Sequence, residues 1–92
     1  IFCINDSIAL ETMLVLRQLN KSVPKDIKII GFDDTPAAKY AFPPLSSVKQ
    51  DTDKIAKVAV DNLLNLIQHP NETDQLLIVP VSLISRQSTN KP

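Results

Sequence analysis

Glycine is almost missing from this chain: Gly31 is the single one in 92 residues. Loops that cradle phosphate need several, because bare backbone is what lets consecutive amides close on the anion, so glycine-rich nucleotide sites are excluded. There is one cysteine, Cys3, and one histidine, His69. A lone thiol closes no intrachain disulfide, and the two together cannot fill the tetrahedron of a structural zinc site. Nucleophilic catalysis needs Ser, Cys or Thr beside a base that a third group orients, and His69 stands next to Pro70 with no acid placed for that role. The chain is not expected to be an enzyme, and no metal or cofactor is implied. Tryptophan is absent, and ten Lys and Arg balance ten Asp and Glu. That balance lacks the electrostatic footprint of a nucleic-acid surface, so these residues are not expected to touch DNA themselves. No apolar run approaches the roughly 20 residues of a membrane span. Cys3 sits in an apolar stretch, as a small buried hydrophobe in a reducing compartment would, and a soluble, cytoplasmic protein is expected.

What is present is a repeated pattern of strand followed by polar pair. Ile1-Phe2-Cys3-Ile4 stops at Asn5-Asp6, and Ile27 to Phe32 stops at Asp33-Asp34. Between them the spacing predicts a helix from Ser7 to Asn20, with Asp6 as its N-cap, and a turn at 21–26 where Pro24 cannot continue the helix. Strand, helix and strand in about 32 residues make one βαβ unit with parallel strands. The helix is apolar over most of its wheel, more than one sheet face can cover. Either a second subunit or other parts of the same chain must take the remainder.

The segment Thr35 to Leu45 carries Pro36, Pro43 and Pro44 with aromatic anchors and reads as an ordered loop. Ser46 to Gln50 reads as a short strand, and a long helix from Thr52 to Gln68 is capped by Asp51 or Thr52. A polar loop 70–75 and an extended stretch from Leu76 to Ile84, interrupted by Pro80, close the pattern. The chain begins in mid-strand pattern without Met and is expected to be a segment of something longer.

In an open α/β sheet the carboxyl ends of parallel strands face one crevice, so polar groups placed there converge on a ligand. An ionised carboxylate offers about four lone-pair sites and suits adjacent hydroxyls of a polyol. Asp33, last on its strand and shortly after Gly31, is the leading ligand candidate. Asn5 holds the matching place on the first strand, and its amide can both donate and accept. Gln50 offers a third polar contact or an ordinary structural hydrogen bond. Asp6 and Asp34 are expected to cap the next helix or turn.

These residues, read together as Phe2-Cys3-Ile4-Asn5-Asp6-Ser7-Ile8-Ala9, Val23 to Asp34, Pro44 to Gln50 and Val81 to Thr89, closely resemble the C-terminal part of LacI/GalR-family transcriptional repressors. The resemblance implies a partial α/β fold of the type I periplasmic-binding-protein kind, a parallel sheet with flanking helices. It implies a parent with an N-terminal helix-turn-helix that binds operator DNA, absent here. By the same resemblance Asn5 and Asp33 contact the effector, with Gln50 following at less weight. Ser7 to Asn20 and the segment around Tyr40 to Pro43 form a homodimer interface, including Leu10, Met13, Leu14, Tyr40 and Phe42. Residues 1–50 lie mainly in the C-terminal lobe, 51–80 cross to the N-terminal lobe, and 81–92 return. The implied function is effector binding and dimerisation for a repressor that responds to a sugar or similar small molecule. The rival is an extracytoplasmic sugar-binding protein of a transport system, and the ending Ser85-Arg86-Gln87-Ser88-Thr89 favours the repressor.

Overall fold

The computed structural model describes residues 1–72 and 76–90. The chain divides into two compact units, Ile1–Lys49 with the C-terminal segment from Ser82, and Gln50–Val81. The expected polar loop 70–75 lies partly outside the described residues.

In the first unit, helix α1 runs Asp6–Gln18, strand β1 Ile30–Phe32, helix α2 Pro36–Tyr40 and strand β2 Ser46–Gln50, with Gln50 itself counted in the second unit. β1 and β2 are parallel, with Ile30 opposite Ser46 and Phe32 opposite Val48. The N-terminal segment adds to the other side of β1, but as one parallel bridge between Phe2 and Ile30 rather than the full strand expected from its apolar run. Ile30 N–H donates to the Ile1 carbonyl at 3.0 Å, and Cys3 N–H donates to the Ile30 carbonyl at 2.9 Å. β1 is likewise shorter than its apolar run. Ile29 N–H donates to the Ser88 carbonyl at 3.2 Å, so the C-terminal segment takes the place a ladder partner would have had.

The N-cap of α1 is Asn5, not Asp6: the Asn5 side chain accepts from Ile8 N–H at 2.9 Å, three residues on. This is the ordinary capping geometry, and it leaves Asp6 as the first helical residue. α1 ends at Gln18, and Asn20 takes a left-handed φ of 59° while Lys21 N–H returns to the Leu16 carbonyl at 2.8 Å. Asn tolerates that conformation better than most side chains.

α1 turns Ala9, Met13 and Leu16 inward against Cys3, Ile29, Ala38 and Leu45, and these buried side chains form the core of the first unit. The apolar excess of α1 is real, since Ile8, Leu14, Val15 and Leu19 are about half exposed or more. Met13 belongs to the inward set at 5% exposed, so it is a core residue and not part of the outer face that the family resemblance implied for it. The proline-rich stretch, read as a loop, contains the one-and-a-half-turn helix α2. Pro36 occupies its first turn, where its missing N–H costs nothing.

The second unit is built on helix α3, Thr52–Gln68, with the bounds its periodicity predicts and with Asp51 as cap, accepting from Lys54 N–H at 3.0 Å. None of its residues is buried, and Ile55, Val60, Leu63, Leu64 and Ile67 are exposed. The ion pair of Lys57 with Asp53 at 3.1 Å is solvated and contributes little. The long extended stretch yields strand β3 only at Val81–Ile84, beginning immediately after Pro80, which has no N–H for a ladder. β3 stands next to β2 in the order β1-β2-β3, and a short turn of 3₁₀ helix follows at Gln87–Thr89.

Candidate functional site

Parallel pairing sends the N-terminal segment and β1 in one direction, so their carboxyl ends open at the same edge of the sheet. Phe2 and Ile30 form one parallel bridge, and Asn5 and Asp33 each stand three residues beyond it. The two strand-to-helix junctions are then bound to each other through Asp6. Its carboxylate is 1% exposed. One oxygen accepts from Thr35 N–H at 2.6 Å and from Thr35 Oγ1 at 2.9 Å. The other accepts from Ser47 Oγ at 2.6 Å. Asp6 is thus a buried acceptor linking α1, the turn after β1, and β2, not the cap or turn residue its position indicated.

Gly31 is required by that arrangement. A Cβ at this position would collide with Asp6 Oδ1 and stand 3.1 Å from Leu45 Cδ2. The single glycine therefore serves close approach of a carboxylate to strand backbone, with no positive φ involved.

The Asp33-Asp34 pair has unusual backbone: φ is 100° at Asp33 and 51° at Asp34. Two successive non-glycine residues in this region persist only where the surroundings dictate them, and such sites recur at ligand clamps. Here three consecutive amides are each taken by a different partner. Asp33 N–H donates to the Val48 carbonyl at 2.8 Å, Asp34 N–H to Ser47 Oγ at 2.9 Å, and Thr35 N–H to Asp6. Asp34 was expected to cap a turn. Its carboxylate instead lies 2.7 Å from the guanidinium of Arg86, with both side chains largely covered.

The structure brings Asn5 and Asp33 to one edge with different availability. Asp33 is exposed at the end of β1. Asn5 is half-buried, and its side-chain oxygen accepts from Ile8 N–H as the helix cap, which assigns Nδ2 as the donor end of the amide. Gln50, partly buried, ends β2 and is counted with the second unit.

Sequence reasoning missed the C-terminal clasp. Ser88 Oγ donates to the Ile29 carbonyl at 2.7 Å and accepts from Ser46 N–H at 2.8 Å, while Ser46 Oγ accepts from Arg86 N–H at 2.6 Å. Ser46, Ser47 and Ser88 are fully buried. The available signal was hydroxyls standing where a central strand normally carries aliphatic side chains. Among the described residues no cluster of three or more His, Cys, Asp or Glu could hold a metal ion. No helix among them is long and apolar enough to cross a membrane.

The pattern of the periplasmic binding protein-like domain matches residues 1–89. The chain belongs to that family. Its similarity within the family is to LacI-type repressors. It is 35% identical over 88 residues to the ribose operon repressor of Haemophilus influenzae, a match that covers 96% of this chain and 26% of the relative. A lac repressor dimer bound to operator and the anti-inducer ONPF superposes with a TM-score of 0.85 at 35% identity, over 96% of this chain and 26% of that one. The transcriptional regulator CelR in complex with cellobiose superposes with a TM-score of 0.86 at 30% identity, over 95% of this chain and 27% of that one. The chain spans about a quarter of the length of the curated relatives it matches.

Proposed function

We propose that this chain is an effector-binding and dimerisation region of a cytoplasmic bacterial transcriptional repressor, and that its effector is a sugar or similar polyol. The observation that carries the reading is the placement of Asn5 and of the exposed Asp33 just past the carboxyl ends of two parallel-bridged segments that Asp6 ties together. A hydroxyl both accepts and donates, so one sugar hydroxyl can accept a hydrogen bond from Asn5 while it or its neighbour donates one to Asp33. Gln50 is a further contact. The named ligands of the relatives, cellobiose and the anti-inducer ONPF, favour this chemistry.

The break between units at Lys49 and Ser82 supports a layout in which residues 1–50 and 81–92 belong to one lobe and 51–80 to another. α3, which buries nothing, is then covered by the remainder of a longer chain. The outer face of α1 around Leu10 and Leu14, with Tyr40 and Phe42 at 80% and 83% exposed, is the surface for a second copy. Operator DNA is read by a separate helix-turn-helix. Effector and operator then act on each other only through a difference in effector affinity between the two arrangements of the lobes. Repressors among the relatives favour regulation over the alternative, an extracytoplasmic sugar-binding protein of a transport system.

The test is thermal stabilisation of the protein as expressed from its own gene by ribose, lactose, sucrose and cellobiose. A sugar at 100 times its Kd adds about 2.7 kcal/mol to stability. Asp33→Ala should weaken the responding sugar by at least roughly 2 kcal/mol through loss of charge-assisted hydrogen bonds. Calorimetry that finds the affinity of Asp33→Ala equal to that of the parent overturns the assignment.

A further inference from the structure

We infer that Arg86 is a positioning residue for the effector site, holding the Asp33 carboxylate in place through the neighbouring Asp34. This rests on the reading that Asp33 contacts the effector. Arg86 lies 52 positions beyond Asp34 in sequence, on the segment after β3. Its guanidinium stands 2.7 Å from Asp34 Oδ1, with the side chains 17% and 14% exposed. Asp34 Oδ1 is fully covered, and the guanidinium 2.7 Å away compensates its charge. Losing one partner of a covered pair leaves an uncompensated charge, which must move toward water.

Asp34 has little room to move without carrying Asp33 along. The two share a peptide bond between left-handed residues, and that backbone is kept by contacts from outside it. Asp33 N–H and Asp34 N–H are both held by β2, through the Val48 carbonyl and Ser47 Oγ. A turn of Asp34 toward solvent strains both bonds and swings the Asp33 carboxylate off the edge it shares with Asn5. Arg86 is itself fixed, since the same guanidinium nitrogen donates to the Leu45 carbonyl at 2.8 Å and its backbone N–H to Ser46 Oγ at 2.6 Å. The anchor is rigid, and the geometry it imposes reaches the ligand carboxylate one residue away.

The experiment uses the protein as expressed from its own gene, with calorimetric titration of ribose and of cellobiose well below the melting temperature. Arg86→Gln should weaken the responding sugar about tenfold or more, the scale found when a group that orients a first contact is lost. Arg86→Lys, which keeps the charge, should restore most of the affinity, and Asp34→Asn combined with Arg86→Gln should lose little beyond Arg86→Gln alone. A fall in melting temperature with unchanged sugar affinity overturns the proposal, because a purely structural clasp gives that result. If Asp33→Ala also binds like the parent, or neither sugar binds, the underlying effector assignment fails instead. Amide exchange without sugar gives an independent reading: Arg86→Gln should speed exchange at Asp33, Asp34 and Thr35, and unchanged rates there overturn the proposal by themselves.

Discussion

Replacing Asp6 is the sharpest probe of how the site edge is assembled. Its carboxylate accepts three hydrogen bonds, two from Thr35 and one from Ser47, at 2.6–2.9 Å in a setting 1% exposed. Hydrogen bonds to a charged group contribute roughly 1.5–3 kcal/mol each, against about 0.5–1.5 for neutral pairs. Asp6→Asn keeps the shape. Its remaining oxygen can face Thr35 N–H, the donor with no alternative, while its amide nitrogen donates to Ser47 Oγ, whose hydroxyl turns to suit. The loss is then the charge assistance of three bonds, about 1 kcal/mol each, or about 2–4 kcal/mol after allowing for non-additivity. Asp6→Ala strands Thr35 N–H, leaves a void beside Gly31, and should cost more, roughly 3–5 kcal/mol. Urea unfolding at constant m reads both values. The expected order is parent, Asn, Ala. An alanine variant within about 0.5 kcal/mol of the parent would refute Asp6 as the link between the junctions, since that is the spread of an ordinary surface change.

Three further outcomes follow from the same geometry. Asn5→Ser keeps a capping oxygen but removes the amide, so it should leave helix stability nearly unchanged and weaken sugar binding; Asn5→Ala should additionally lose about 1 kcal/mol of stability, and circular dichroism melts with titration calorimetry separate the two. Gly31→Ala forces Asp6 and Leu45 apart and should destabilise by roughly 1–3 kcal/mol, measured by urea unfolding, although alanine is the better residue in the unfolded-chain balance. Leu14→Glu, or Phe42→Glu in the exposed segment after α2, should yield monomers on sedimentation without lowering the melting temperature of the isolated protomer, whereas Met13→Glu should unfold it.

The sequence was most legible where one local rule decided the outcome. α3 has an Asp cap, an apolar stripe and a terminating His-Pro, and nothing buried competes with that pattern, so its bounds are the expected ones. β2 is likewise where its short β-favouring run stands. Legibility failed where two rules met. Asn5 and Asp6 are both good caps, and only the need for a buried acceptor opposite Ser47 and Thr35 decides that Asn5 takes the helix end. Pro36 signals a turn and equally a first helical turn, and α2 took the second option. The partnership of Asp34 with Arg86, and the serine clasp behind it, join residues that no local period relates. Met13 shows the limit of a wheel that is apolar nearly all round, because periodicity then cannot say which side is the core.

The two junctions divide their work in the same way. In each polar pair the second residue, Asp6 or Asp34, is bonded to a distant part of the fold, while the first is less covered than Asp6 in one pair and exposed in the other. The separation comes from the backbone leaving the strand at each junction, where Asp6 opens the helix and Asp33 and Asp34 take left-handed φ. The inner residue must find donors or a cation to be tolerated there, and Asp6 and Asp34 do so through Thr35, Ser47 and Arg86. Those bonds in turn fix the backbone from which the outer residue projects. The inner residue of such a pair therefore cannot be exchanged without structural cost. Asp33→Asn should change sugar affinity with a smaller loss of unfolding free energy than Asp34→Asn, which breaks a covered ion pair. Equal stability losses in the two variants would show that the outer carboxylate also serves the fold, and would remove the basis for assigning it to a ligand.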